Sequence, residues 1–291
     1  MKQAHRTQAT DVALPKIDGW LMTGFEQFFL PRYLRKHFHA VAVNRESLTE
    51  AVTDKEAALV LYANHGSWWD PMVAIFIHRR LMNYHRFYAP IDASALARYR
   101  IFGRMGFYGI EMQSRRGASE FLRRSLRIAR EPGATIALTP EGKFCDVRDS
   151  QQRLMPGLAH LATGIEAAEG VGSQSSRCVW FVPVALEYCF WEERLPECLC
   201  WLGAPMRVQW GQSTADKFGW DSELTMRLRA AQHALAAASI ARDESQFELL
   251  LSGQAGTWRL YDTCRRLASS LRGQRLALEH GAKLKVKAKV K

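Results

Sequence analysis

A histidine and an aspartate five positions apart, His65 and Asp70, are the residues of this sequence whose types and spacing best suit chemistry. An imidazole oriented by a carboxylate can take a proton from a hydroxyl and so make a weak nucleophile effective. No Gly-x-Ser-x-Gly motif accompanies the pair, and we therefore expect the attacking hydroxyl to belong to a substrate. The pair predicts general-base chemistry.

The segments on either side predict where this pair lies. Residues 57–63 are an apolar run typical of a buried strand, and Pro71 opens an apolar stretch typical of a buried helix. The pair therefore lies in a strand-to-helix connection, where sheet proteins often place their chemistry. A structural interpretation is also open: Asp70 before Pro71 suits a helix N-cap, and His65 could be a hydrogen-bonded loop histidine.

Two further apolar runs end in residues with distinctive backbone or side-chain properties. Residues 134–139 predict a strand that ends at Pro140-Glu141-Gly142, which leaves a carboxylate at the strand end. The glycine permits an unusual backbone angle or the close approach of a ligand. Residues 179–186 predict a third strand, in which Pro183 indicates an edge position or a bulge.

Together these segments resemble the glycerolipid acyltransferase family, typified by 1-acylglycerol-3-phosphate acyltransferase. The resemblance covers about residues 57–190, and its four blocks follow one another in the family's order. The blocks are Asn64-His65 with Asp70, the segment from Met105 to Met112, Pro140-Glu141-Gly142, and Phe181-Val182-Pro183-Val184. Each block alone is a short motif, but four in order are fairly specific.

The resemblance implies an O-acyltransferase of lipid metabolism. His65 would be the general base that deprotonates a lipid hydroxyl, and Asp70 would orient the imidazole. The hydroxyl would attack the thioester of acyl-CoA or acyl-carrier protein, a co-substrate, with no covalent acyl-enzyme and no cofactor. From its position, Gly66 with nearby backbone N–H groups could steady the oxyanion. The residues expected to bind the acceptor or shape its site are Asn64, Arg115, Arg116, Glu141, Gly142 and Lys143.

Two departures from the family pattern concern the acceptor. The family usually has arginine, associated with the acceptor's phosphate, where this sequence has Met112 and Phe144. Neither side chain supplies the bidentate fork that suits a phosphate. The simpler inference is an acceptor without a phosphomonoester, such as a glycolipid or a glycosylated terpenoid. The alternative is an ordinary lysophospholipid acyltransferase in which Arg115, Arg116 or Lys143 compensates.

Composition limits the other function classes. A net charge of +11 indicates an anionic partner, which could be nucleic acid, an anionic membrane or coenzyme A. A basic nucleic-acid-binding protein without catalysis ranks low, because no recognised binding motif is present and the charge is scattered. A metal hydrolase also ranks low, since the His65 constellation has one histidine and the six cysteines lack zinc-site spacing. We expect no metal.

An aromatic and basic segment near the beginning predicts contact with a membrane surface. Residues 19–36 combine interfacial aromatics with cations, namely Trp20, Phe28, Tyr33, Arg32, Arg35 and Lys36. The alternative is a helix packed on the protein's own core. No run of eighteen apolar residues is present, and the first fifteen residues lack the apolar region of a signal peptide. We expect a peripheral or monotopic protein on the cytoplasmic side of a membrane.

The fold class predicted from the remaining pattern is α/β, with a mixed, largely parallel sheet flanked by helices. An N-terminal amphipathic segment and C-terminal helices, at residues 221–251 and 257–272, complete the prediction. Predicted helices cover 71–82, 94–104, 117–130 and 156–169, and predicted strands cover 86–90, 107–111, 178–187 and 198–209, the last with a bend at 203–205. The predicted organisation is an N-terminal segment (1–45), an acyltransferase domain (46–215), C-terminal helices (216–280) and a basic tail (281–291).

Overall fold

The computed structural model describes residues 13–44, 51, 54–168, 178–212 and 216–254. These residues form an α/β fold, with a nine-stranded, mixed and mostly parallel sheet flanked by helices, as the sequence predicts. The strands are β1 (Ala40–Asn44), β2 (Ala58–Ala63), β3 (Arg86–Asp92), β4 (Phe107–Ile110), β5 (Ala134–Leu138), β6 (Cys178–Cys189), β7 (Glu197–Leu202), β8 (Met206–Gln209) and β9 (Glu248–Ser252).

Seven α-helices lie among the described residues. They are α1 (Gly19–Gly24), α2 (Leu30–His37), α3 (Asp70–Leu81), α4 (Ala93–Arg98), α5 (Arg115–Ala129), α6 (Gly157–Glu166) and α7 (Lys217–Ala241). A π-helical turn, Phe25–Phe29, joins α1 to α2, and the 3-10 segments are Arg100–Met105 and Glu244–Gln246. The predicted helix at 94–104 is therefore interrupted at Tyr99, where the backbone leaves the helical region.

The strand order places the ends of β2, β5 and β6 side by side. The order is β4-β3-β5-β2-β6-β7-β1-β9, and β8 pairs with β6 beside β7. Strands β2 to β5 are parallel to one another, and β6 is parallel to β2. The carboxyl ends of these five strands therefore meet at one edge of the sheet. Ligands of open α/β sheets bind at this edge.

Both faces of β2 are covered, which fixes the position of its end. Leu59 and Leu61 belong to a core cluster shared with helices α1 to α3. Val60 and Tyr62 belong to a second cluster, shared with α5, α6 and α7 on the opposite face. This burial explains the continuous apolar run in the sequence, since a parallel strand covered on both faces has no polar side. Residues that follow β2 are thus held by a rigid element.

The strand that contains Pro183 is not at an edge. β6 pairs with β2 on one side, and on the other with β8 and then β7. β8 pairs with residues 178–181 and β7 with residues 184–189, so Pro183 lies between the two partners. Gly203, in the predicted bend between β7 and β8, donates its N–H to the Pro183 carbonyl at 2.9 Å. The edge prediction is therefore wrong. Proline is tolerated inside the sheet because neither β7 nor β8 pairs with residue 183, so no neighbouring strand needs the backbone N–H that proline lacks.

The C-terminal prediction is partly wrong. α7 ends at Ala241, where Arg242 adopts a left-handed conformation with φ of 50°. Residues 248–251, the end of the predicted helix, instead form β9 together with Ser252 and pair antiparallel with β1. Pairing with a distant strand overrides local periodicity here. β1 and β9 come from the predicted N-terminal and C-terminal segments, yet they belong to the same sheet. The predicted helix at 257–272 and the basic tail lie outside the described residues.

The N-terminal segment has one buried and one exposed side. Leu30 and Leu34 are completely buried, while Trp20 is 93% and Phe28 58% exposed. The ring of Tyr33 packs against Trp69, next to the predicted site. The interpretation as a helix packed on the core is confirmed for the buried side, and membrane contact of the exposed side stays a prediction. Of the residues that the structure describes, none belongs to a helix with the length and apolar character needed to cross a membrane.

Candidate active site

The connection between β2 and α3 brings His65 and Asp70 into contact. His65 Nδ1 lies 2.7 Å from Asp70 Oδ2. Because an ionised carboxylate only accepts hydrogen bonds, we assign the ring proton to Nδ1, which leaves the lone pair on Nε2. The His65 side chain keeps 19% of its surface exposed, whereas that of Asp70 keeps 2%. The imidazole thus reaches solvent while its orienting carboxylate does not.

Asp70 accepts two more hydrogen bonds that fix its orientation. The Tyr188 hydroxyl donates to Oδ1 at 2.6 Å, and the Ser67 backbone N–H donates to Oδ2 at 3.1 Å. Burial raises the pKa of the Tyr188 phenol well above its usual value, so the group stays protonated and donates. The N-cap interpretation is wrong, since Trp69 holds the N-cap position and Asp70 lies inside the helix. Its carboxylate instead accepts the hydrogen bond from the His65 ring.

Tyr188 is a site residue that motif matching does not identify. It lies near the end of β6, beyond the fourth block of the resemblance. The parallel pairing of β6 with β2, in which Val184 lies opposite Ala63, carries its side chain toward the residues that follow β2. An aromatic residue with a hydroxyl at the end of a neighbouring buried strand was the available signal. The strand order was needed to use it.

Glu141 holds the backbone of His65. It follows β5, and its Oε2 accepts the His65 backbone N–H at 2.7 Å. Its Oε1 accepts a hydrogen bond from Arg229 Nη1 of α7 at 2.9 Å. Glu141 and Arg229 are both buried, with exposed fractions of 4% and 8%. The predicted residue is therefore beside His65, where both of its oxygens meet protein donors.

Gly142 occupies a backbone conformation that suits glycine. Its φ is +68°, in the left-handed region that other residues rarely adopt. A Cβ at this position would also approach Met155 Sδ to 2.3 Å, which is far inside contact distance. The turn after β5 thus needs a glycine for two independent reasons. The predicted role of Gly142 in shaping the site has a structural basis.

Phe144 lies against the candidate base. Its ring centroid is 4.4 Å from that of His65, and 60% of the residue's surface is exposed. The next residue, Cys145, donates its backbone N–H to the His65 carbonyl at 2.8 Å, which holds the loop above the histidine. Lys143 is exposed in the same loop. An apolar ring is therefore in contact with His65 at the position where the resembled family has arginine.

Asn64 joins two strand ends. Its Nδ2 donates to the Leu186 carbonyl at 3.0 Å, and its Oδ1 accepts the Leu186 N–H at 2.7 Å. The residue is 1% exposed. The amide therefore replaces backbone pairing between β2 and β6 just before His65. This geometry assigns Asn64 to the framework of the site.

Arg115 and Arg116 lie at the same edge of the sheet but not beside His65. They are the first two residues of α5, exposed, and follow β4. Two strands, β3 and β5, separate β4 from β2. At about 4.8 Å between neighbouring strands, this places them roughly 14 Å along the edge.

The Cys145 thiol, in the loop beside His65, is not an activated nucleophile. Burial, followed by the nearby Glu141 charge, raises the pKa of the Cys145 thiol. This thiol is therefore protonated at neutral pH, and the thiol form is a poor nucleophile. Within the described ranges, no cluster of three or more His, Cys, Asp or Glu side chains is placed to hold a metal ion. The geometry suits a substrate hydroxyl activated at Nε2.

Comparison with known proteins adds no identification. No protein-family model matches this chain, and no curated protein sequence matches it. The resemblance therefore rests on the four sequence blocks and their order.

Proposed function

We propose that this protein is an O-acyltransferase that moves a fatty acyl group from acyl-CoA or acyl-carrier protein to a lipid hydroxyl. The observation that carries the proposal is the 2.7 Å contact between His65 Nδ1 and the buried Asp70 carboxylate. It leaves the Nε2 lone pair of a partly exposed imidazole to act as the base. The four sequence blocks in the acyltransferase order provide independent support.

In the proposed mechanism, His65 Nε2 takes the proton of the acceptor hydroxyl as its oxygen attacks the thioester carbonyl. Asp70 stabilises the imidazolium that forms, and Tyr188 with Ser67 keeps the carboxylate in place. The tetrahedral intermediate then collapses, and the imidazolium returns its proton to the departing thiolate. The backbone N–H of Gly66, in the connection between β2 and α3, is the proposed donor to the oxyanion, since the N–H groups of His65 and Ser67 beside it already donate to Glu141 and Asp70.

The direct test of this activity is a search for the product. Purified protein is incubated with an isotope-labelled acyl group, carried by CoA in one reaction and by acyl-carrier protein in another, with a total lipid extract. Mass spectrometry then identifies any lipid ester that carries the label. Labelled ester is expected with at least one donor, and its absence with both donors, for folded protein, would contradict the proposal.

We propose further that the acceptor presents a neutral head near His65, as in a glycolipid or a glycosylated terpenoid. A phosphomonoester carries about −1.5 to −2 charges near neutral pH, and burying that charge without a cation costs several kcal/mol. The group in contact with His65 is the Phe144 ring, and Met112 is half-buried where a second arginine is usual. An ordinary lysophosphatidic acid acyltransferase, with Lys143 or Arg115 binding phosphate, is the alternative.

A charge at position 144 should change the acceptor preference. The wild type is expected to acylate a neutral glycolipid faster than lysophosphatidic acid at matched surface concentration. Phe144→Arg should raise the rate with lysophosphatidic acid about tenfold, since a charge-assisted bidentate contact becomes possible. Phe144→Leu, the apolar control, should not. Efficient wild-type acylation of lysophosphatidic acid that Arg115→Ala or Lys143→Ala abolishes would instead support the ordinary activity.

We also propose that the exposed side of residues 19–36 contacts an anionic membrane, on the cytoplasmic side. Three aromatic side chains project from this side, at 93%, 58% and 51% exposure, namely Trp20, Phe28 and Phe29. Arg32, Arg35 and Lys36 are exposed in the same segment. Aromatic rings beside cations suit the headgroup region of a bilayer, and the net charge of +11 adds attraction.

Point substitutions test the membrane contact better than removal of the segment, because Leu30 and Leu34 are buried in the core. Trp20→Ser and Phe28→Ser should each weaken co-sedimentation with anionic liposomes about tenfold, as expected for one large apolar side chain withdrawn from the bilayer. Phe218→Ser, at a 77% exposed ring on α7, is the matched control and should bind like the wild type. Undiminished binding by both segment variants would place the membrane contact elsewhere.

A further inference from the structure

The buried carboxylate next to the candidate base is fully engaged by the protein. Glu141 Oε2 accepts the His65 backbone N–H at 2.7 Å, and Oε1 accepts Arg229 Nη1 at 2.9 Å. The exposed fractions of 4% for Glu141 and 8% for Arg229 leave little room for a ligand between them. A carboxylate that already accepts from two protein donors is poorly placed to bind an acceptor. It is well placed to hold the histidine.

The same arginine also holds the loop that carries Phe144. Arg229 Nη2 donates to the Gln152 carbonyl, and Nη1 donates to the Gln232 side chain as well. Gln232 in turn donates to the Val147 carbonyl at 3.3 Å. Side chains of α7 therefore donate to two carbonyls of this loop, those of Gln152 and Val147. Cys145, in the same loop, donates to the His65 carbonyl. Both the base and the ring beside it are tied to α7.

We propose that Arg229 is a positioning residue, which acts through Glu141 on the backbone of His65 and through Gln152 on the Phe144 loop. This inference rests on the proposed acyltransferase function and reassigns Glu141 from acceptor binding to support of the base. Without Arg229 the Glu141 carboxylate is a buried charge with no counter-ion, which is a strongly unfavourable arrangement. The side chain must then move or draw in water, and the His65 backbone loses its acceptor.

A kinetic separation distinguishes positioning from acceptor binding. Arg229→Met should lower kcat about a hundredfold, because small misplacements of a reacting group cost rate on this scale. KM for the acceptor should change far less than kcat, since Arg229 itself contacts no acceptor and can affect it only through the Phe144 loop. Arg229→Lys, which keeps the charge but not the planar fork, should fall between Met and the wild type. A raised KM with unchanged kcat in Arg229→Met would overturn the proposal.

A measurement on His65 itself does not depend on activity. Selective 15N-histidine labelling gives backbone signals from the nine histidines, and His65→Gln identifies the His65 amide by its loss. In the wild type this amide donates to a carboxylate, and its hydrogen exchange should be slow. Glu141→Gln and Arg229→Met should each speed its exchange about tenfold or more, because a charge-assisted hydrogen bond is weakened or lost. Unchanged exchange in both variants would overturn the proposal.

The control for this measurement is Arg227→Met, two residues away on α7. Arg227 pairs with Glu223 at 2.6 Å on the surface of the same helix, and its removal should leave the His65 amide and kcat unaltered. If Arg229→Met does not fold, Arg229→Lys and Glu141→Gln supply the same two readouts. If the wild type shows no acyl transfer, only the proposed function is contradicted. The hydrogen exchange of the His65 amide would still test the positioning role of Arg229.

Discussion

Replacement of His65 by alanine is expected to lower acyl transfer by roughly a hundred- to ten-thousand-fold, the range that general-base catalysis contributes. The variant removes Nε2, the atom assigned to accept the hydroxyl proton, together with the Nδ1 contact to Asp70 Oδ2. Binding of donor and acceptor does not depend on the imidazole in this account. The measurement is kcat with each substrate at saturation.

The control for this substitution is His160→Ala, at an exposed histidine on α6. It should retain wild-type turnover and wild-type thermal stability. Circular dichroism and a melting curve establish that both variants are folded. Turnover of the folded His65→Ala variant within about tenfold of the wild type would mean that another group is the base.

Asp70→Asn is expected to cost nearly as much, roughly a thousand- to ten-thousand-fold in kcat. Asparagine has one acceptor oxygen and one NH2 group, whereas Asp70 receives donors at both oxygens, from Tyr188 at one and from His65 and Ser67 at the other. With the oxygen toward Tyr188, the NH2 group faces His65 Nδ1. The ring must then carry its proton on Nε2, which leaves no lone pair for the acceptor hydroxyl.

Tyr188→Phe perturbs the same carboxylate, with a smaller expected loss of kcat. It removes one donor to Asp70 but keeps the carboxylate and its contact with His65. The expected loss is about tenfold, the scale of one hydrogen bond to a charged group. A loss as large as that of Asp70→Asn would indicate a direct role for the phenol. Equal activity of Asp70→Asn and the wild type would contradict the assignment of the His65 ring proton to Nδ1.

Local sequence patterns predicted most of the elements because those elements are buried in a way that leaves a local signature. β2 and β5 are mostly apolar and covered on both faces, and Pro71 marks the first turn of α3. The pairing of strands that are distant in sequence left no comparable local pattern. Residues 248–251 end the segment predicted as helix yet form β9 beside β1, and Pro183 is inside the sheet because two partner strands meet there.

The site shows the same division between local and distant information. His65 and Asp70 are close in sequence, so their spacing offered the contact as one of two interpretations, and the structure contains it. Tyr188 and Arg229 reach the site over separations of 118 and 88 residues from their partners. Arg229 stands next to Leu228 on the buried side of α7, and only the fold shows that a carboxylate lies opposite. Charged residues at apolar helix positions are the signal to follow.

The measurement that tests the central claim most directly is the stoichiometry of acyl transfer with and without the acceptor. Purified protein is mixed with acyl donor, and released thiol, lipid ester and the mass of the intact protein are recorded together. The account predicts one thiol released per ester formed, negligible release without acceptor, and no acylated protein, because His65 activates the acceptor's own hydroxyl. Thiol release at the same rate without acceptor, or an acyl group on the protein, would contradict it.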